Sequence, residues 1–307
     1  RVQSPALRMI AEREEEIEAF KAREYWSIEA DCAHPDQAFS ARLLRLDGKK
    51  FEQFDLTNEA DAHAARDRLR KAAQGGLVVS DIQSKERKRR PAPPFTTSTL
   101  QQEAARKLGF ATSRTMRLAQ QLYEGVPLGD EGIVGLITYM RTDAVHLSAE
   151  AITELRDVIQ RDYGPRALPE QPNFYRNKSK NAQEAHEAIR PTSALHRPKQ
   201  VAAYLSDDQR KLYELIWKRA VACQMQFATL NTVSVDLACG PDSAFRASGT
   251  TVVDPGFLAV YEEGRDQKGA EDEDEGRKLP AMQIGEAVPL RDIVAEQHFT
   301  EPPPRYS

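Results

Sequence analysis

A chain of 307 residues, 40% of them apolar and 29% charged, has the length of about two domains with ordinary cores. Its formal net charge of −4 excludes a uniformly basic nucleic-acid binder. No apolar run long enough to span a bilayer occurs, and no charged-then-apolar leader opens the chain. The three cysteines, Cys32, Cys223 and Cys239, are too scattered for a disulfide framework or a four-ligand zinc site, so a cytoplasmic protein with its thiols in the core is expected.

The chain opens on Arg1 without a methionine, which reads as an excised fragment, and Ser4-Pro5 reads as a helix start. Leu7, Ile10, Ala11 and Ile17 carry helical spacing to about Phe20. Strand patterns follow at Tyr25 to Ala30 and Phe39 to Leu46, and Asp47-Gly48 turns the chain into Lys49-Lys50-Phe51. Asn58 caps a helix through Ala73, Gly75-Gly76 stops it, and Leu77 to Val79 resumes a strand. The basic run Lys85 to Arg90 and the acidic run Glu271 to Glu275 read as solvated loops, because like charges repel and seldom pack.

Pro91, Pro93 and Pro94 mark a boundary beyond which helices dominate to about Phe227. Thr99-Leu100-Gln101-Gln102 has capping-box form with Gly109 as its stop, and Thr112 or Ser113 starts a helix ending at Gly125. Ser148 caps a helix through Asp162, and Ser206 to Gln226 is a long helix with Leu212, Leu215, Ile216 and Trp217 on its apolar face. Strands return at Thr232 to Leu237, Phe245 to Val253 and Ala287 to Val294. A β region interrupted in sequence by a helical block is most simply one sheet domain with a helical domain inserted, joined by two linkers. The fold class is therefore α+β and multidomain, a split mainly-β domain with an inserted mainly-α domain.

Two clusters carry chemistry. In Gly135 to Asp143, read as a strand, Ile137, Tyr139 and Arg141 share one face and Leu136, Thr138 and Met140 the other. The Cα atoms of Tyr139 and Arg141 would then lie roughly 6.5–7 Å apart, so that a phosphate held by the guanidinium reaches the phenol. In Asn181 to Pro191, read as a helix, Gln183, His186, Glu187 and Arg190 share a face, with Pro191 biasing Arg190 away from helical dihedrals. Taken singly, the first is an ordinary half-buried strand tyrosine and the second a solvated polar face.

Together, Gly-Leu-Ile-Thr-Tyr139-Met-Arg141-Thr-Asp143 and Gln183-Glu-Ala-His186-Glu-Ala-Ile-Arg190-Pro191 closely resemble the bacterial type IA DNA topoisomerases. Arg1-Val2-Gln3-Ser4 is similar to a further motif of that family with its leading glycine gone, and Pro94-Phe-Thr-Thr-Ser-Thr-Leu-Gln-Gln102 to another. The likeness runs along essentially the whole chain. Ala144 departs from it, since serine commonly follows the threonine-aspartate pair, and so does the lack of a Toprim region with its acidic metal ligands.

The resemblance implies a fragment of an ATP-independent enzyme that relaxes negatively supercoiled DNA. Tyr139 would attack a phosphodiester of single-stranded DNA to give a 5′-phosphotyrosyl bond and a free 3′-hydroxyl, followed by strand passage and religation. Arg141 would clamp the phosphate, and His186 would contact it and serve a proton network. Arg1, Gln3 and Arg190 would bind DNA. Mg²⁺ is implied, on residues outside this chain, so no metal residues are assigned here. The implied domains are residues 1–20 as a remnant of a DNA-binding domain, 21–84 with 226–300 as the split β-rich hinge domain, 85–225 as the helical domain bearing the tyrosine, and 301–307 returning to the first. A monomer in the bacterial cytoplasm at the nucleoid, without membrane contact, is expected, and so is a fragment inactive in relaxation by itself. The alternative is a noncatalytic single-stranded-DNA-binding module in which the tyrosine stacks on bases. A tyrosine recombinase or relaxase fits less well, because the wider Arg/His set of the first and the clustered histidines of the second are missing.

Overall fold

A computed structural model describes residues 3–176, 186–264 and 276–306. Arg1, Gln183 and the acidic run at 271–275 therefore lie outside the described residues. The chain divides into two compact units, the first made of Arg1–Lys85, Thr232–Thr251 and Asp274–Ser307, the second of Glu86–Asn231 and Val252–Glu273.

In the first unit, α1 (Gln3–Ala19) buries none of its residues. It is followed by β1 (Glu24–Ala33), β2 (Ala38–Leu46) and the short β3 (Lys49–Lys50), with the turn between β2 and β3 carried by the positive φ of Asp47 and Gly48. Asn58 caps α2 (Glu59–Ala73) by accepting the Asp61 amide, and Gln74 ends it in the left-handed region at φ 49°. The chain then enters β4 (Gly76–Arg89). With β7 (Ala228–Cys239), β8 (Ser243–Asp254) and β9 (Ala287–Phe299) these strands form one sheet in the order β1-β9-β4-β7-β8-β2-β3.

A further antiparallel pairing of β1 with β2, Glu29 opposite Arg42 through Ala33 opposite Ala38, closes the sheet on itself and, among the described strands, leaves β3 as an appendage. Closure removes the unpaired edges that would otherwise template aggregation. The inward residues Ile28, Ala30, Leu77, Val79, Leu237, Phe245 and Ile293 form one core with Ala62, Ala65 and Leu69 of α2. The basic run expected as a loop lies mostly in β4. A strand sends successive cations to opposite faces, and residues 84–88 are exposed, so their repulsion is diluted within a regular element.

The second unit is built on helices. Thr96 caps α3 (Thr97–Leu108) with Thr99 as the reciprocal partner, three residues earlier than the box read at Thr99 to Gln102. The helices α4 (Thr112–Glu124), α5 (Ala149–Tyr163) and α7 (Asp207–Cys223), with the short α6 (Pro198–Val201), surround a core that includes Leu100, Leu122, Leu155, Tyr213 and Ile216. Ser148 and Ser206 cap α5 and α7 as their positions predict. Phe257 and Tyr261, in a stretch the sequence reading leaves with the β region, are buried in this helical core. The whole is a mixed α/β chain with a large antiparallel sheet and helices.

Candidate active site

Between α4 and Tyr139 lies a small hairpin, β5 (Val126–Pro127) with β6 (Ile133–Val134), which folds the chain back on the end of α4. Leu136 donates its amide to the Leu122 carbonyl at 2.7 Å. At Gly135 a Cβ would stand 2.6 Å from the Tyr123 carbonyl, so only glycine permits this approach. The segment from 135 to 143 is not the strand its alternation suggests. It makes one isolated bridge, Ile137 with Pro191, and bends at Met140 and Arg141. Leu136, Ile137 and Met140 all enter the core, so the expected shared face of Ile137, Tyr139 and Arg141 is replaced by a bend that leaves Tyr139 half-buried and Arg141 exposed.

The second cluster is not helical either in its described part. Residues 186–191 form no regular element, in keeping with the proline after Arg190, and Ile189 bridges Phe95 while Pro191 bridges Ile137. Thr138 stitches the two segments together: its amide donates to the Arg190 carbonyl at 2.9 Å and its hydroxyl to the Ala188 carbonyl at 2.7 Å, while the Arg190 amide donates to that hydroxyl at 3.0 Å. The stitch brings His186 to Tyr139, with ring centroids 5.4 Å apart and planes tilted by 38°. On another side Tyr123 meets the same ring edge-on at 5.3 Å. The tyrosine is thus held by two aromatic neighbours.

Arg141 makes no hydrogen bond or ion pair among the described residues, so its five donors are available to an anion. Arg190 is committed differently. Its Nε donates to Glu187 at 2.6 Å, and its Nη1 to the carbonyls of Pro191 at 2.9 Å and Thr192 at 3.3 Å, so the guanidinium expected to face DNA braces its own loop. Gln3 opens α1 in the first unit. Ala144 is fully buried, and its amide donates to the Thr142 hydroxyl at 3.0 Å. Thr97 and Tyr123 touch this site although nothing in the sequence singled out either residue; Thr97 lies within the matching Pro94 to Gln102 motif.

Burial works to raise the pKa of the Glu187 carboxyl. The bond and charge of Arg190, with bonds from the Ser148 amide and hydroxyl, outweigh it and hold the group below the usual carboxylate range. A lowered native pKa supplies stability that is fully present above the ordinary carboxylate range and is lost as the pH falls through the lowered native value. Glu187→Gln is therefore expected to lower the melting temperature at neutral pH, by the equivalent of about 1 kcal/mol, and to converge with the unaltered protein in acid. An equal deficit at both pH values in thermal denaturation would contradict this.

The magnesium implied by the resemblance finds no ligand set here. Among the described residues no group of three His, Cys, Asp or Glu side chains converges, and Glu187, the carboxylate next to His186, is already bonded to Arg190.

A family model described as DNA topoisomerase matches residues 1–307. The chain is 68% identical over 307 residues to DNA topoisomerase 1 of Xylella fastidiosa strain Temecula1, and 48% identical over 309 residues to that of Rickettsia bellii. All of the chain is covered in both, but it spans only 38% of the length of each relative. Among solved structures, full-length topoisomerase I from Thermotoga maritima matches with a TM-score of 0.78 and 33% identity, covering 99% of this chain and 45% of that one.

Proposed function

The chain belongs to the DNA topoisomerase family, and from that premise we propose that Tyr139 is the nucleophile of a type IA enzyme acting on single-stranded DNA. Its phenol oxygen attacks a backbone phosphorus, forming a phosphotyrosyl bond to the 5′ side. The bond to the 3′-oxygen breaks, and the phenolic proton ends on that oxygen as a free 3′-hydroxyl. Religation runs the same exchange backwards, so the phosphoester energy is kept and no ATP is consumed.

The observation that carries this reading is the contact of Tyr139 with His186, ring centroids 5.4 Å apart, with the exposed Arg141, unpaired among the described residues, two positions along the chain from the tyrosine. A phenol with pKa about 10 is a weak nucleophile at neutral pH and needs help. Arg141 supplies it by neutralising the phosphate and the charge that grows on it, an effect worth roughly 3 kcal/mol for one well-placed donor. His186, whose imidazole packs against the Tyr139 ring, holds the proton network beside the phenol. Arg1 and Gln3 contact the DNA strand, and Arg190 acts through the loop it braces.

In the full-length protein the helical unit carries the DNA end bonded to Tyr139, opens the path for the second strand, and relaxes negative supercoils. Magnesium belongs to acidic groups outside these 307 residues. The protein works as a cytoplasmic monomer at the nucleoid. The 307-residue chain by itself is expected to leave supercoiled plasmid unrelaxed, and magnesium-dependent relaxation by it would overturn that. The central test uses the full-length protein with end-labelled single-stranded DNA followed by denaturation. A labelled covalent adduct supports the enzyme, whereas binding without an adduct leaves the base-stacking module.

A further inference from the structure

The motif from Pro94 to Gln102 has no part in the chemistry so far, yet it touches both segments that do. We propose that Thr97 is a positioning residue of the Tyr139 site, whose hydroxyl fixes the bend that aims Arg141. The assignment rests on the reading of Tyr139 and Arg141 given above.

Thr97 is the first residue of α3, and its neighbour Thr96 performs the capping, so the Thr97 hydroxyl is free of helix duties. That hydroxyl shares its proton between the carbonyls of Met140 at 2.8 Å and Thr142 at 3.0 Å, and it accepts the Thr142 amide at 2.9 Å. The Thr97 amide donates in turn to the Thr142 carbonyl at 2.9 Å. Arg141 is the residue enclosed by these bonds. It has no other anchor among the described residues, so the direction of its side chain is set by the backbone on either side of it.

Two residues earlier, the Phe95 carbonyl accepts the Ile189 amide at 2.8 Å, three residues beyond His186. The strip 95–97 is therefore a common bracket: one end holds the histidine segment and the other holds the arginine bend. Valine at 97 would keep the shape of the side chain and remove every hydroxyl bond. The Thr142 amide and the Met140 carbonyl would then lose their partner, and the bend would relax at a site where a shift of about 1 Å costs on the order of a hundredfold in rate.

The test measures single-turnover adduct formation and noncovalent affinity of the full-length protein on a single-stranded oligonucleotide. Thr97→Val is expected to slow adduct formation roughly 10- to 100-fold with affinity changed by less than about twofold, and Thr97→Ser to restore most of the rate. In an Arg141→Ala background Thr97→Val is expected to have no further effect, because the group it aims is gone. Thr97→Ala makes the same comparison if the valine variant folds poorly. An unchanged rate in Thr97→Val, or the same loss with and without Arg141, overturns the assignment of Thr97 alone. If the unaltered protein forms no adduct, the reading of Tyr139 falls and this inference falls with it.

Discussion

Tyr139→Phe in the full-length protein is expected to leave no covalent DNA adduct and no relaxation, while folding and noncovalent binding of single-stranded DNA persist. Only the hydroxyl changes. The phenyl ring keeps its edge contact with Tyr123 at 5.3 Å and its packing against His186 at 5.4 Å. The phenol makes no hydrogen bond among the described residues, so its removal leaves no partner stranded and stability moves by no more than about 0.5 kcal/mol. What disappears is the hydroxyl of a ring packed against His186, with an arginine unpaired among the described residues two positions further along the chain.

Tyr123 is the instructive control, since it offers a second phenol in contact with the first. It sits on α4, outside the bend that Thr97 holds around Arg141, and the proposed mechanism gives it no part in the attack. An adduct that survives Tyr139→Phe and disappears in the double variant with Tyr123→Phe would move the nucleophile to Tyr123. An adduct that survives both would refute a tyrosine mechanism at this surface. The measurement is a denaturing gel with end-labelled oligonucleotide, run beside a melting curve and a binding titration.

Local signals account for what the sequence made visible. Asn58, Ser148 and Ser206 cap helices because the side chain meets an amide only three residues on, and Gly109 ends α3 for the same short-range reason. The alternation around Tyr139 misled because strand geometry needs a partner, and this segment has a single bridge. Once unpaired, its apolar residues were free to turn inward together, and Ile137 joined Leu136 and Met140 in the core instead of sharing a face with Tyr139. The described part of the His186 segment, residues 186–191, is not helical, where Pro191 had given warning.

The companion residues were invisible because their bonds cross the chain. Thr97 reaches 45 residues to Thr142 and Thr138 reaches 50 to Ala188, distances at which no spacing rule operates. Closure of the sheet was hidden for the same reason, since β1 pairs along its length with β9 from the far end of the chain. The family likeness supplied the pairing of Tyr139 with His186 that periodicity could not.

Arg219→Leu is expected to destabilise the helical unit by about 3 kcal/mol, a drop in melting temperature on the order of 10 °C for a unit of this size. Arg219 is 3% exposed on α7. Its Nε donates to the Pro93 carbonyl at 2.6 Å, and its Nη1 to Glu263 at 2.9 Å and the Tyr261 hydroxyl at 3.3 Å. The guanidinium also lies over the rings of Phe95 and Tyr261, 4.8 and 5.1 Å from their centroids. Tyr261 donates in turn to the buried Glu103, and its phenol pKa is pushed up first by burial and then by that bond.

Leucine would fill part of the volume but leave the Pro93 carbonyl without its donor and the rings of Phe95 and Tyr261 without the guanidinium over them, and breaking one member of a buried set costs far more than the set contributes when whole. Lysine would restore charge without the planar fork that reaches Pro93 and Glu263 together, so Arg219→Lys is expected to recover less than half of the loss. The competing outcome has a physical basis as well. Glu263 is 46% exposed and is rehydrated when its partner goes, which lowers the penalty. The Tyr261 hydroxyl keeps Glu103, and Glu103 keeps the Gly264 amide, Arg106 and Lys107, so the loss should follow the Pro93 bond and the ring contacts. A deficit below about 1 kcal/mol in chemical denaturation, or full recovery with lysine, would mean that Arg219 acts as packing and charge alone, without directional bonds.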